Sequence, residues 1–162
     1  MRITKQKQTA RAHEKLRLTR EHHDGLLLSW KINNGLKKGV SFNRIKDYVL
    51  YYFYNFIEPH FQEEEDFIYP LIPADNPDRR KAELQHEGVR VRIEYLERNY
   101  QLSEEFLKGF AEFLTEHIYF EEKELFNVIE NNADPRALLT VVKRTKRILK
   151  IDNDWPDQFW LK

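Results

Sequence analysis

A histidine followed four residues later by a glutamate occurs twice in this chain, in the segments His60-Phe-Gln-Glu-Glu64 and His117-Ile-Tyr-Phe-Glu121. On an α-helix, residues four apart lie on one face with their Cβ atoms about 5–6 Å apart. The imidazole and the carboxylate of each pair can therefore reach one metal ion or two adjacent ions. Because the pairs are far apart in sequence, they indicate two helices that face each other across a metal site.

Apolar residues recur at spacings of three and four through most of the chain, which is typical of amphipathic helices. The predicted helices cover about 8–33, 41–69, 78–98, 103–131 and, more briefly, 135–151. Long helices joined by short connections favour an antiparallel arrangement. The sequence therefore predicts an all-α fold, an antiparallel up-down four-helix bundle over residues 1–134. The short C-terminal fifth helix and tail, residues 135–162, are expected to pack on or flank it.

The 162-residue length is typical of one domain, and the absence of cysteine excludes disulfides and thiolate ligands. Any metal site must use nitrogen and oxygen ligands. No apolar stretch approaches the length of a transmembrane helix and no secretory signal opens the chain, so a cytoplasmic protein without membrane partners is expected.

Charge is balanced, with 27 basic and 27 acidic residues, but it is unevenly distributed. Residues 58–66 are rich in acidic side chains and flank the first His-Glu pair. Residues 136–150 contain six basic residues and no acidic one. Basic residues on a helix usually solvate its outer face, so nucleic acid is not the expected partner.

Within the first helix, Leu16, Leu27 and Trp30 follow one stripe, and His23 falls on it whereas His22 falls on a flank. The prediction is therefore that His23 points inward, although the sequence does not decide between His22 and His23 as the ligand. A single histidine on such a stripe is more often a hydrogen-bonded core residue than a ligand. A buried carboxylate, however, is costly unless it is paired or metal-bound. The candidate metal ligands are His23, His60, Glu64, His86, His117 and Glu121.

Four imidazoles and two carboxylates suit a first-row transition metal better than magnesium or calcium. Structural zinc needs only four ligands. Six ligands from four helices fit two ions bridged by carboxylates, for which iron is the leading choice. Zinc and manganese remain open, as does the number of ions.

At these residues the chain resembles the hemerythrin-like, HHE cation-binding family, over about residues 8–131. The matching segments are Glu21-His22-His23, Pro59-His60-Phe-Gln-Glu-Glu64, Gln85-His86-Glu87 and Glu116-His117-Ile-Tyr-Phe-Glu121-Glu122. The resemblance implies a four-helix bundle with an oxo- or hydroxo-bridged di-iron centre. It also implies that His23, His60, His86 and His117 are terminal ligands and that Glu64 and Glu121 are bridging ligands.

The chain departs from the oxygen-carrying hemerythrins at two places. They have a second histidine on helix three, four residues from the first, where this chain has Ala82 or Arg90. Their helix-four carboxylate is an Asp five residues after the histidine, whereas here Glu121 stands at four and Glu122 at five. One fewer imidazole leaves an extra open position, which favours sensing or reaction over reversible oxygen carriage.

The expected function is a non-haem di-iron protein that binds or senses oxygen, nitric oxide, peroxide or iron. Its small ligand would lie behind aromatic walls formed by Trp30, Phe56, Phe113 and Phe120. One alternative is an enzyme that reduces peroxide or oxygen at the same centre. Another is a metal-free helical interaction module that uses the basic C-terminal helix and the Trp155–Trp160 tail. Whether the protein is an enzyme stays open at this point.

Overall fold

The computed structural model describes residues 2–144 and 155–161, with side chains from residue 20 to 141 and from 155 to 161. All regular secondary structure in these residues is helical, and they include no strand. The α-helices are α1 (Arg2–Lys37), α2 (Phe42–Tyr52), α3 (Glu58–Glu63), α4 (Pro77–Arg98), α5 (Glu104–Phe120), α6 (Phe126–Asn132) and α7 (Pro135–Arg144). Three π-helical turns (Phe53–Ile57, Glu64–Ile68 and Glu121–Leu125) and one 3-10 turn (Tyr69–Leu71) connect some of them.

Four long helical segments form an antiparallel bundle, as the sequence predicts, and its interior holds two buried apolar clusters. The first bundle helix is α1, the second runs without interruption over residues 42–71, the third is α4, and the fourth covers residues 104–132. The first helix packs against the second and the fourth, and the third packs against the same two. In addition, α7 packs on α1. The fold class is therefore confirmed.

Helix ends follow local sequence signals in most places. Ser103 Oγ accepts a hydrogen bond from the backbone N–H of Phe106 at the start of α5, and the Asp134 carboxylate caps α7. The first helix ends later than its predicted end at residue 33, since Gly39 takes the left-handed conformation with a φ of 69°. The backbone N–H of Val40 then bonds to the carbonyl of Gly35 at 3.0 Å, which closes the last turn.

The inward face of α1 differs from the predicted one. Leu27 and Trp30 are 37% and 52% exposed, whereas Leu28 and Ile32 are fully buried. The predicted aromatic wall at Trp30 is therefore wrong.

Small residues explain which face of α1 is buried. A Cβ on Gly25 would lie 2.8 Å from Cδ1 of Ile118 on α5, and Ser29 Oγ donates a hydrogen bond to the Ala111 carbonyl at 3.1 Å. These contacts require a close approach of the two helices. The face that permits this approach is buried, even though the neighbouring face carries the larger apolar side chains.

The C-terminal tail packs onto the bundle beside the ends of α1 and α2. Phe159 and Trp160 are buried, and the Trp160 and Tyr48 rings lie 4.7 Å apart between centroids. Asn34 and Lys38 donate hydrogen bonds to the Trp160 carbonyl at 2.8 and 2.9 Å. The tail thus contributes to the same core as the bundle helices. The end of the predicted fifth helix, from residue 145 onward, lies outside the described residues, with three of the six bases of the basic stretch.

Within the described ranges, no helix combines the length and the apolar character needed to cross a membrane.

Candidate metal centre

Six side chains from all four bundle helices converge in the interior. They are His22 of α1, His60 and Glu64 of the second bundle helix, His86 of α4, and His117 and Glu121 of the fourth bundle helix. Glu64, His86 and Glu121 are completely shielded from solvent, and His117 is 1% exposed. The structure thus brings together five of the six residues that the sequence predicts.

The prediction that His23 points inward is wrong, because His23 is exposed and lies outside this cluster. The inward imidazole of α1 is His22, which is 3% exposed. The cause is the register of α1 already described: the stripe of Leu27 and Trp30 that placed His23 inward faces solvent. His22 instead shares its face with Gly25 and Ser29.

The six residues form two overlapping groups, each with ligand atoms within 4.8 Å of one another. Subsite A contains His22 and His60, subsite B contains His86 and His117, and both include Glu64 and Glu121.

Each of the two carboxylates faces imidazoles of both subsites. Glu64 Oε1 lies 3.1 Å from His60 Nε2, while Glu64 Oε2 lies 3.3 Å from His86 Nε2. Glu121 Oε2 lies 3.0 Å from His22 Nε2 and 3.6 Å from His117 Nε2. This is the arrangement in which a carboxylate could bridge two ions.

Several of these buried atoms lack a hydrogen-bond partner among the described residues. They are both oxygens of Glu64, Oε2 of Glu121 and Nε2 of His117. Buried polar atoms without partners are costly and uncommon in proteins. Their convergence on the same small region fits a cation that would satisfy all of them together, and the donor set of nitrogen and carboxylate oxygen suits a first-row transition metal.

The opposite ring nitrogen of each histidine is held by a second side chain. The Nδ1 partners are Glu122 for His22 at 2.7 Å, Glu21 for His60 at 2.6 Å, Glu65 for His86 at 2.7 Å and Gln85 for His117 at 3.0 Å. An Nδ1–H that donates to these oxygens leaves Nε2 as the atom that faces the centre.

Arg90 stands at one of the two positions where the oxygen carriers could have their second helix-three histidine. Its guanidinium turns away from the centre and donates hydrogen bonds to Glu58 and Glu65 at 2.9 Å each. Burial opposes the charge of Arg90, but its hydrogen bonds with Glu58 and Glu65 outweigh it and raise the pKa of the guanidinium. Arg90 therefore supports His86 through Glu65 and supplies no ligand atom.

The electrostatics of the site keep its carboxylates ionised. Burial alone would raise the pKa of Glu64, but the charge of His60 and the close approach of the His22 and His86 imidazoles lower this pKa well below the ordinary value. Burial likewise opposes protonation of His60, yet Glu64 and Glu21 raise the pKa of His60 to about 9. For His117, burial dominates and lowers the pKa to about 4. The lowered pKa of Glu64 and the raised pKa of His60 thus share one cause, the close contact between these two groups.

A small cavity of about 30 Å³ lies beside subsite A. Its wall includes His22, His60 and His117 together with Gly25, Phe56 and Ile118. A water-sized site needs about 10–15 Å³ of such volume, so the cavity has room for a molecule of very few atoms. Of the four predicted aromatic wall residues, Phe56 is the one that lines it.

Sequence reasoning missed Tyr69, whose hydroxyl contacts the centre at His86 and Glu121. This oxygen donates a hydrogen bond to Glu121 and lies 2.9 Å from His86 Nε2. Burial, with the nearby charges of Glu121 and Glu64, raises the pKa of Tyr69 well above its ordinary value. The signal available in the sequence was its position just over one turn after Glu64.

The fold and the site define a four-helix bundle with a buried histidine–carboxylate cluster that could hold a metal. Residues 10–129 match the family model described as the hemerythrin HHE cation-binding domain. The chain therefore belongs to this family. No curated protein and no solved structure matches it significantly.

Proposed function

We propose that this protein is a non-haem di-iron protein, with one iron ion in subsite A and one in subsite B. The observation that carries the proposal is the sharing of Glu64 and Glu121 between the two histidine pairs. Two carboxylates that reach both subsites would bridge the ions and offset their charge. His22 takes the place in this ligand set that the sequence assigned to His23.

The ligand that we propose is a diatomic molecule or peroxide, because the cavity beside subsite A is about 30 Å³ in volume. A di-iron centre supplies one- and two-electron redox chemistry toward oxygen, nitric oxide or peroxide. Phe56, Ile57 and Leu114 make much of the cavity wall apolar and so limit the entry of water. Glu21 and Glu122 hold the imidazoles of subsite A in place beside the cavity.

The test is metal analysis of the purified protein together with its absorption spectrum. Close to two irons per chain and an oxo-bridge charge-transfer band in the near ultraviolet are expected. The double variant Glu64→Gln/Glu121→Gln should lose both, whereas Glu112→Gln on the exposed side of α5 should keep them. Protein that takes up no iron, and whose thermal stability is unchanged when iron is added, would contradict the proposal.

Reduction of peroxide or oxygen at the same centre is the second candidate function. It is favoured by the ligand set, in which each subsite has only two imidazoles and the two shared carboxylates and would leave positions on the ions for a substrate. Peroxide consumption by the iron-loaded protein would support this activity if Glu64→Gln/Glu121→Gln abolishes it. Ligand binding without turnover would favour a sensing role.

The metal-free interaction module finds less support. Phe159 and Trp160, which that hypothesis would offer to a partner, are 1% and 5% exposed within the protein's own core.

A further inference from the structure

Tyr69 lies where the second bundle helix ends, in the 3-10 turn that follows the π-helical turn Glu64–Ile68. Its side chain is fully buried, and its ring lies 5.3 Å from that of His86 between centroids. The hydroxyl is directed at two atoms, Nε2 of His86 and Oε1 of Glu121. Both residues belong to subsite B.

The distances place the phenol oxygen within the ligand shell of subsite B. Metal bonds to nitrogen and oxygen are about 2.0–2.2 Å long, so neighbouring ligand atoms around one ion lie about 3 Å apart. Tyr69 Oη is 2.9 Å from His86 Nε2 and is hydrogen-bonded to Glu121. An ion bound by His86 and Glu121 would therefore also lie within reach of this oxygen.

Subsite B, like subsite A, has two imidazoles besides the shared carboxylates, so its ligand set has room for a further donor. Its imidazoles are His86 and His117, and its remaining candidate ligands are the two shared carboxylates. Arg90, four residues after His86, is turned to Glu58 and Glu65, and Ala82, four residues before it, has no ligand atom. A phenol oxygen at this place would add a fifth candidate ligand to subsite B.

We propose that Tyr69 is a protein ligand of the iron ion in subsite B and binds it in the ferric state through its phenolate oxygen. This inference rests on the proposed di-iron function. On binding, the phenol O–H bond breaks, the oxygen–iron bond forms and the proton leaves to solvent. No electron is transferred in this step.

The experiment is absorption and resonance Raman spectroscopy of the iron-loaded, oxidised protein. The wild type should show a phenolate-to-iron charge-transfer band in the visible, and excitation in that band should enhance tyrosine ring vibrations. Tyr69→Phe should lose both signals while it keeps two irons and the near-ultraviolet oxo-bridge band. Tyr95→Phe, at a tyrosine of α4 that is 44% exposed, is the matched control and should keep all signals.

If Tyr69→Phe does not fold, the resonance Raman spectrum of the iron-loaded wild type alone still tests the inference. The hydroxyl of Tyr69 contacts two members of the candidate metal centre, His86 and Glu121, so bound iron should bring its ring vibrations into the spectrum. Two bound irons without enhanced tyrosine vibrations would overturn the assignment and leave Tyr69 as a hydrogen-bond donor to Glu121. A protein that binds no iron would instead contradict the di-iron function itself, so the two failures are distinguishable.

Discussion

Each imidazole of the centre depends on one hydrogen bond at Nδ1 to keep Nε2 aimed inward. Glu21 makes this bond with His60, at 2.6 Å, from the residue next to His22. Loss of such an outer partner typically lowers metal affinity about 10–100-fold. Glu21→Gln should therefore weaken iron binding by about this factor, since a neutral amide polarises the ring less than a carboxylate.

Competition against a coloured chelator would measure this change. Glu112→Gln, on the exposed side of α5, is the control and should leave the affinity unchanged. An equal affinity for Glu21→Gln and the wild type would show that the His60 contact does not tune the metal.

Gly25 determines how much space remains beside subsite A. A Cβ at this position would lie 2.8 Å from Cδ1 of Ile118, and both residues line the cavity. Gly25→Ala should therefore narrow the cavity and slow the binding of nitric oxide to the iron-loaded protein by at least several-fold.

Stopped-flow measurements would follow this rate in three variants. Adding Ile118→Val to Gly25→Ala removes the contacting methyl group and should restore much of the nitric oxide binding rate. Gly109→Ala is the matched control because a Cβ there meets nothing within 4 Å. If Gly25→Ala binds nitric oxide as fast as Gly109→Ala, the cavity is not the route of entry.

The sequence was sufficient for five of the six clustered residues because their helical faces are marked by large apolar neighbours. His60 and His117 each follow a phenylalanine-rich stripe and share it with a glutamate. His22 could not be selected over His23 in this way, since its face is marked by Gly25 and Ser29. Close helix contacts depend on small residues, which carry no apolar signal. Tyr69 was missed because a tyrosine near a loop is usually part of the core.

At the scale of secondary-structure elements, the π-helical turns are what the sequence did not predict. Glu64 and Glu121, the two shared carboxylates, are each the first residue of such a turn. A π-helical turn inserts one residue into the helix and is frequent at functional sites. Pro59 in the second bundle helix has no backbone N–H and cannot make the usual intrahelical hydrogen bond. The observed adjustment is the π-helical turn Phe53–Ile57 just before it.

The contact between α4 and α5 depends on another small residue, Gly88. A Cβ there would lie 2.7 Å from Cζ and 3.0 Å from Cε1 of Phe113. Overpacking of this kind usually costs about 1–3 kcal/mol. Gly88→Ala should therefore lower the free energy of unfolding by about this amount, less any gain in helix propensity.

Urea denaturation of the metal-free protein would measure the loss. Because Phe113 is partly exposed and could move, Gly88→Ala/Phe113→Leu should recover most of the stability. A Gly88→Ala variant more stable than the wild type would mean that the Phe113 ring moves aside without loss of free energy of unfolding.

At the scale of the whole molecule, the tail stabilises the bundle from the end where α1 meets α2. Phe159 lies against Gly35 of α1, where a Cβ would be 2.8 Å from its ring. Truncation of a buried phenylalanine typically costs about 3–5 kcal/mol. Phe159→Ala should lower the melting temperature strongly, yet the folded protein should bind the same amount of iron, since no clustered residue contributes to this contact.

Calorimetry and metal analysis on the same sample would separate the two effects. Leu161→Ala, at an exposed residue of the same tail, should change neither. Loss of iron from folded Phe159→Ala would show that the tail and the centre are coupled.

Removal of the metal acts on the whole molecule because the six clustered residues come from all four bundle helices. An ion that binds only the folded state stabilises it by about 2.7 kcal/mol at a free concentration of 100 times its Kd. The melting temperature should therefore fall on chelation and rise with the concentration of added ferrous ion under anaerobic conditions. In Glu64→Gln/Glu121→Gln the ions lose the two charges that both subsites share, so its melting temperature should not respond to iron. An equal response in this variant and the wild type would place the bound iron elsewhere on the chain.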